Sequence, residues 1–120
     1  MKLEFLTFTN QKNLIDGVRL HKLTVHRDPR GLLIETLRED WSDVFKRPVL
    51  QFGQSYFSVT NPGYARDEDK WHVHKTKQVD RFVIVEGSAV VALYDWRGDS
   101  KTKDTLNLFL MGEANGDDNQ

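Results

Sequence analysis

Two histidines one residue apart, His72 and His74, carry the most chemical promise in this chain. They lie in the stretch WHVHKTKQVDRFVIVEG, from Trp71 to Gly87, where Lys75, Lys77, Gln78 and Asp80 follow at once. Residues two apart on an extended strand point the same way, so both imidazoles are expected on one face. A neutral imidazole titrates near neutral pH and can accept a proton, return one or ligate a metal. The amide, carboxylate and ammonium groups beside the pair would serve either chemistry. A proton-transfer site and a metal site both stand open at this point.

Composition narrows the setting. The chain has 120 residues, the size of one domain spanning 1–120. A domain of that length buries roughly 65% of its unfolded surface. A net charge of −1 offers no basic patch for nucleic acid. Cysteine is absent, which removes disulfides, zinc–thiolate sites and a cysteine nucleophile. No apolar run approaches the ~20 residues of a membrane span. The opening MKLEFLTF has Glu4 and no apolar signal core, so a cytoplasmic protein is expected.

The elements that must hold the histidines read as short strands. Leu3 to Phe8 suits an edge strand, and Val18 to His26 a strand with one phase slip. Asp28-Pro29-Arg30-Gly31 breaks the chain before an extended run from Leu32 to Leu37. Trp41, Val44 and Phe45 sit at the spacing of one helical turn, stopped by Pro48. Val49 to Phe52, Gln54 to Thr60, Val79 to Val85, Ser88 to Tyr94 and Thr105 to Leu110 are further strand candidates. Turns are expected at Asn61-Pro62-Gly63 and at Arg97-Gly98-Asp99-Ser100, and residues 111–120 read as a loop-like tail. The expected class is all-β, a sandwich or small barrel.

Three stretches carry a family resemblance. Asp28, Arg30, Gly31, Leu33 and Glu35 look like a D-x-R-G-x-F-x-E pattern. Gln54, Tyr56, Ser58, Thr60, Gly63 and Arg66, with His72 after a short insertion, resemble Q-x-N-x-S-x-S-x-x-G-x-x-R-G-x-H. Tyr94-Asp95-Trp96-Arg97, Ser100 and Thr102 are similar to V-D-L-R-x-x-S-x-T. These patterns belong to the dTDP-4-dehydrorhamnose 3,5-epimerase family, a branch of the cupin-like jelly rolls, and the match covers roughly residues 18 to 110.

The resemblance implies an isomerase without a cofactor. It would remove a proton next to the 4-keto group of a dTDP-linked 6-deoxy sugar and return it on the opposite face. By position His72 is the base, with His74 and Asp80 in support. Arg30, Glu35, Gln54, Tyr56, Arg66 and Lys70 fall where the substrate would be bound. An arginine fork suits a pyrophosphate through paired charge-assisted hydrogen bonds. A homodimer is expected, because the family associates through its sheets.

The chain also departs from the pattern. Leu33 replaces an aromatic residue, Asp69-Lys70 stands where Arg-Gly precedes the base, and Asp80 replaces a lysine. The family's catalytic tyrosine and second histidine would lie past Gln120, so an incomplete barrel, or one closed by a partner, is expected.

Blander and rival readings accompany each feature. Arg30 and Glu35 would ordinarily form a surface ion pair, Lys75 and Lys77 a solvated turn, and Asp95 to Ser100 a structural hairpin. Five residues separate His74 from Asp80 and six separate Asp80 from Gly87. That is close to the spacing of a metal-binding cupin, in which His72, His74 and Asp80 would ligate Zn²⁺ or Fe²⁺. A non-catalytic module that binds sugar nucleotides is the third reading.

Overall fold

The structure is a computed structural model that describes residues 3–42, 52–74 and 78–113. Two compact units divide the chain. Residues 1–48 and 82–120 make the first, and residues 49–81 the second. Strand pairing lies entirely in the first unit and comprises two antiparallel hairpins. Among the described residues there is no α-helix. The all-β expectation therefore holds at the level of small antiparallel sheets, and no closed barrel forms among the described residues.

The first hairpin joins β1 (Val25–Asp28) to β2 (Gly31–Ile34), with Asp28 opposite Gly31. Its turn is written in the sequence. Pro29 presets φ, and Asp28 Oδ1 accepts the Arg30 backbone N–H at 2.8 Å, closing the loop as an aspartate turn. Each strand is shorter than the expected Val18 to His26 and Leu32 to Leu37. Leu32 and Leu33 remain mostly exposed, so nothing packs on this ribbon to extend its pairing.

The second hairpin holds the core. It pairs β3 (Ser88–Tyr94) with β4 (Leu106–Gly112) along their whole length. Alternation sends Ala89, Val91 and Leu93 to one face, opposite Met111, Phe109 and Asn107. Leu6 adds a bridge to the far edge of β4, where its N–H donates to Leu108 O at 2.7 Å and its carbonyl accepts from Leu110 N at 3.0 Å. Leu6, Ile15, Leu23 and Phe109 are the buried apolar side chains of this unit.

Four expectations are corrected here. The Leu3 to Phe8 strand reduces to the Leu6 bridge, because Thr7 and Asn10 bond each other in a turn and Asn10 Nδ2 caps Phe5 O. The 111–120 loop begins later than expected, since Met111 and Gly112 continue β4. Gly112 makes this possible at φ +86°, where a Cβ would run into the Gly87 carbonyl oxygen and Ile84. Gln54 to Thr60 and Val79 to Val85 form no ladder among the described residues. Apolar alternation makes a strand only where another edge receives its hydrogen bonds. The helical turn at Asp40 to Phe45 and the strand at Val49 to Phe52 fall mostly outside the described residues.

A polar cage locks the β3–β4 connection. Asp95, with a side chain 1% exposed, accepts from Arg97 Nε on Oδ1 at 2.8 Å and from Arg97 Nη2 on Oδ2 at 2.9 Å. Ser100 Oγ and Thr102 Oγ1 donate to Oδ2 at 2.6 and 2.7 Å. Arg97, then Ser100 and Thr102, hold this carboxyl far below the usual carboxylate range despite the opposing cost of desolvation. The cage also straps down residues 13–16. Arg97 Nη2 donates to Asp16 O, Asp16 N donates to Thr102 Oγ1, and buried Asn107 accepts from Ile15 N and donates to Asn13 O. The Asp95 to Thr102 stretch is therefore a structural fastening.

Candidate functional site

The two histidines, with Gln78 and Asp80, lie in the second unit, and two turns precede them. Asn61-Pro62-Gly63 makes the first, with Tyr64 N donating to Asn61 O at 3.3 Å. Gly63 sits at φ +83°, the left-handed region that a turn with proline at its second position demands of its third. Arg66 folds back across this turn, donating from Nε to Thr60 Oγ1 and from Nη2 to Val59 O, both at 2.8 Å. The result is a shallow concavity floored by Val59, Thr60, Asn61, Tyr64, Ala65 and Arg66. A second turn, closed by Lys70 N donating to Asp67 O, delivers Trp71 to His74.

The same-face expectation for the two imidazoles is met. Their ring centroids are 4.7 Å apart in an edge-on arrangement. Their surroundings differ. His74 Nε2 lies 2.7 Å from Asp80 Oδ2, and its side chain is 29% exposed. His72 is 65% exposed, and its Nδ1 is 3.8 Å from Asp67 Oδ2, beyond hydrogen-bond range. Asp80, expected beside His72, therefore sits on His74.

Gln78 completes this arrangement. Its Nε2 donates to Asp80 Oδ1 at 2.8 Å and stands 3.1 Å from His74 Nε2. Partial burial pushes the Asp80 carboxyl up, but the hydrogen bonds from Gln78 and His74 and the charge of both imidazoles outweigh it, leaving a net downward shift. Asp80 is thus an anion held beside an imidazole, the pairing that orients a histidine ring.

The other expected residues are distributed differently. Arg30 bonds Asp28, with Nη2 on Oδ2 at 2.7 Å, and Glu35 accepts from Arg38 at 2.9 Å. Arg38 also grips Asp40 at 2.7 Å, so Arg30 and Glu35 do not form the surface pair expected of them. Both belong to the first unit. Gln54, Tyr56, Arg66 and Lys70 share the second unit with the histidines, and Tyr56 is largely exposed. Lys75 and Lys77 lie outside the described residues.

For the metal reading, the described residues gather no group of three His, Cys, Asp or Glu side chains as a metal site. Gln78 and Asp67 are the contributors that sequence reasoning did not assign. Gln78 stands in the histidine stretch, and its amide was the available signal.

Comparison with known proteins adds a separate line. No family model matches the chain, and no solved structure matches it. The probable low-salt glycan biosynthesis epimerase Agl13 of Haloferax volcanii is 40% identical over 101 residues, 84% of this chain and 60% of that protein. The spore coat polysaccharide biosynthesis protein SpsL of Bacillus subtilis is 39% identical over 102 residues, 85% of this chain and 62% of that protein. This chain is similar to glycan-biosynthesis proteins. It spans about three fifths of the length of these relatives. Among the described residues, no helix is long and apolar enough to cross a membrane.

Proposed function

We propose that the chain carries the proton-transfer site of a sugar-nucleotide epimerase. The substrate on this reading is a dTDP-linked 4-keto-6-deoxy sugar, and the fold is a cupin-like jelly roll. The observation that carries the proposal is the pair of imidazoles in contact, one of them held by Asp80. A relative named as an epimerase supports the reaction class, and the Gln54 to His72 pattern supports the substrate class.

His72 is the proposed base because it occupies the family's position. A neutral imidazole removes the acidic proton next to the ketone, and the resulting enolate takes a proton back at the same carbon. His74, oriented by Asp80, is the adjacent group able to share that proton. Arg66 and Lys70 supply positive charge toward the diphosphate, while Gln54 and Tyr56 contribute polar contacts in the same unit. Arg30 and Glu35 are proposed as nucleotide contacts that exchange their present ion-pair partners for substrate. The working form is proposed to be a cytoplasmic homodimer. Light scattering at micromolar concentration that finds only a 14 kDa species would remove that part.

The deciding experiment is deuterium exchange from solvent into a dTDP-4-keto-6-deoxy sugar. Exchange is expected with the native protein, and His72→Asn is expected to slow it about 10²–10⁴-fold, the usual contribution of a general base. Binding of the nucleotide should survive that substitution. Nucleotide binding without exchange in the native protein would instead favour a non-catalytic binding module.

A further inference from the structure

We propose that Gln78 is a positioning residue that fixes the tautomer of His74 through Asp80, making His74 the second proton-transfer group beside His72. This rests on the reading of the histidine pair as the reacting centre, and it deepens that reading by naming the atoms.

The two short contacts at His74 Nε2 compete, since the carboxylate asks for hydrogen on that nitrogen and the amide for its lone pair. Gln78 Nε2 lies 2.8 Å from Asp80 Oδ1, and only the amide nitrogen can donate to a carboxylate. Turning that amide over would set its carbonyl oxygen against the carboxylate. The Gln78 orientation is therefore dictated by Asp80. His74 Nε2 is then approached by Asp80 Oδ2 at 2.7 Å and by the Gln78 amide nitrogen at 3.1 Å. A bare Nε2 would satisfy the amide but would press its lone pair against a carboxylate oxygen. A protonated Nε2 makes the shorter, charge-assisted bond to Asp80, and that bond is the stronger of the two.

Nε2 thus carries hydrogen in both the neutral and the cationic ring. In the neutral ring the lone pair belongs to Nδ1, the nitrogen left to accept a proton. Gln78 contributes by occupying Oδ1, which prevents the carboxylate from swinging away from the imidazole. Among the described residues His72 has no such holder, the carboxylate beside it being Asp67 Oδ2 at 3.8 Å. On this proposal the two imidazoles have different duties: one has a fixed tautomer, and the other is not tied to a carboxylate.

The test reads imidazole ¹⁵N shifts of the full chain at the alkaline end of a pH series, so that the neutral rings are observed. His74 should show a protonated Nε2 and an unprotonated Nδ1. Asp80→Asn should reduce that bias roughly tenfold, the effect of one charge-assisted hydrogen bond, and Gln78→Leu should reduce it by less. Neither change should move the His72 resonances comparably. Unaltered amide spectra elsewhere certify that the variants fold. A wild-type His74 protonated at Nδ1, or His74 shifts indifferent to both substitutions, would overturn the positioning role. The readout needs no substrate, so it is separable from the epimerase reading. A fixed tautomer with no deuterium exchange would sink the reaction and leave the Gln78–Asp80 clamp standing. Where exchange occurs, Gln78→Leu should lower its rate and shift its pH profile, and a lowered rate with an unshifted profile would count against the clamp.

Discussion

Asp95 and Asp80 are both aspartates bound by neighbouring side chains, yet the structure uses them in opposite ways. Asp95 is buried, and both its oxygens are taken by donors that keep their protons throughout the working pH range: a guanidinium and two hydroxyls. Asp80 is more exposed, and it spends one oxygen on an amide and the other on an imidazole. The first arrangement has a single charge state and suits a fastening. The second includes an imidazole, a group able both to give and to accept a proton. Burial alone would have singled out Asp95, whereas the proposed function selects Asp80. The chemistry of the partner decides it.

The largest effect expected from breaking this contrast is at Asp95. Asp95→Ala leaves the Arg97 charge, Ser100 and Thr102 without their shared acceptor and loosens residues 13–16. Asp95 is buried while Arg97 is half exposed and can be hydrated, so the loss expected is that of partners left unsatisfied, about 1–3 kcal/mol. Urea unfolding should show that loss, and an unchanged midpoint would mean that the cage is incidental. The pH dependence has a definite sign. The folded Asp95 carboxyl is depressed, so its stabilising contribution is complete above the ordinary carboxylate range. It declines as pH falls through that range toward the folded value, because the unfolded chain takes up the proton first.

A second large effect is expected at Gly112. A Cβ there would meet the Gly87 carbonyl oxygen and Ile84 Cγ2, at a φ that side-chain-bearing residues rarely adopt. Gly112→Ala should destabilise the β3–β4 hairpin by about 1–3 kcal/mol, as overpacking in a fitted site does. Thermal unfolding measures it, and a neutral result would place the end of β4 elsewhere.

Much of the first unit was legible in the sequence, because its signals are local. Ser88 to Tyr94, the Arg97 to Ser100 turn and the Thr105 to Leu110 strand are where patterning places them, and β4 merely runs two residues further. The cage was legible as a hairpin but not as a buried lock, since Asp16 and Asn107 join it from distant positions. Gln54 to Thr60 and Val79 to Val85 misled because alternation reports a strand's faces and says nothing of a partner for its edges. At the site, the shared face of His72 and His74 followed from a period of two. The choice of His74 by Asp80 did not, because spacing along the sequence does not say which of two adjacent rings a carboxylate six residues on will meet. Arg30 and Glu35 were captured by closer neighbours, Asp28 and Arg38, at two and three residues' distance.

The smallest stability effect, and the one that sharpens the contrast most, is expected at Asp80. Asp80→Asn removes an anion that is partly exposed, and an exposed pair contributes only about 0–1 kcal/mol to folding. The unfolding midpoint should therefore stay near that of the native protein, in contrast to the loss expected for Asp95→Ala. What little stability Asp80 provides follows the same sign, present above the ordinary carboxylate range and lost as pH falls through it, because its carboxyl is also depressed. The functional consequence runs the other way. Without the carboxylate, His74 Nε2 loses its partner at 2.7 Å, so the ¹⁵N shifts of its ring should change in Asp80→Asn, while Asp95→Ala, in whatever fraction remains folded, leaves them in place. Imidazole ¹⁵N spectra of both variants measure this directly. If Asp80→Asn unfolds the chain as readily as Asp95→Ala, both carboxylates are fastenings and the functional assignment of the second unit fails. If stability holds and the His74 ¹⁵N shifts move, the two aspartates have been separated by the property that distinguishes a site from a scaffold.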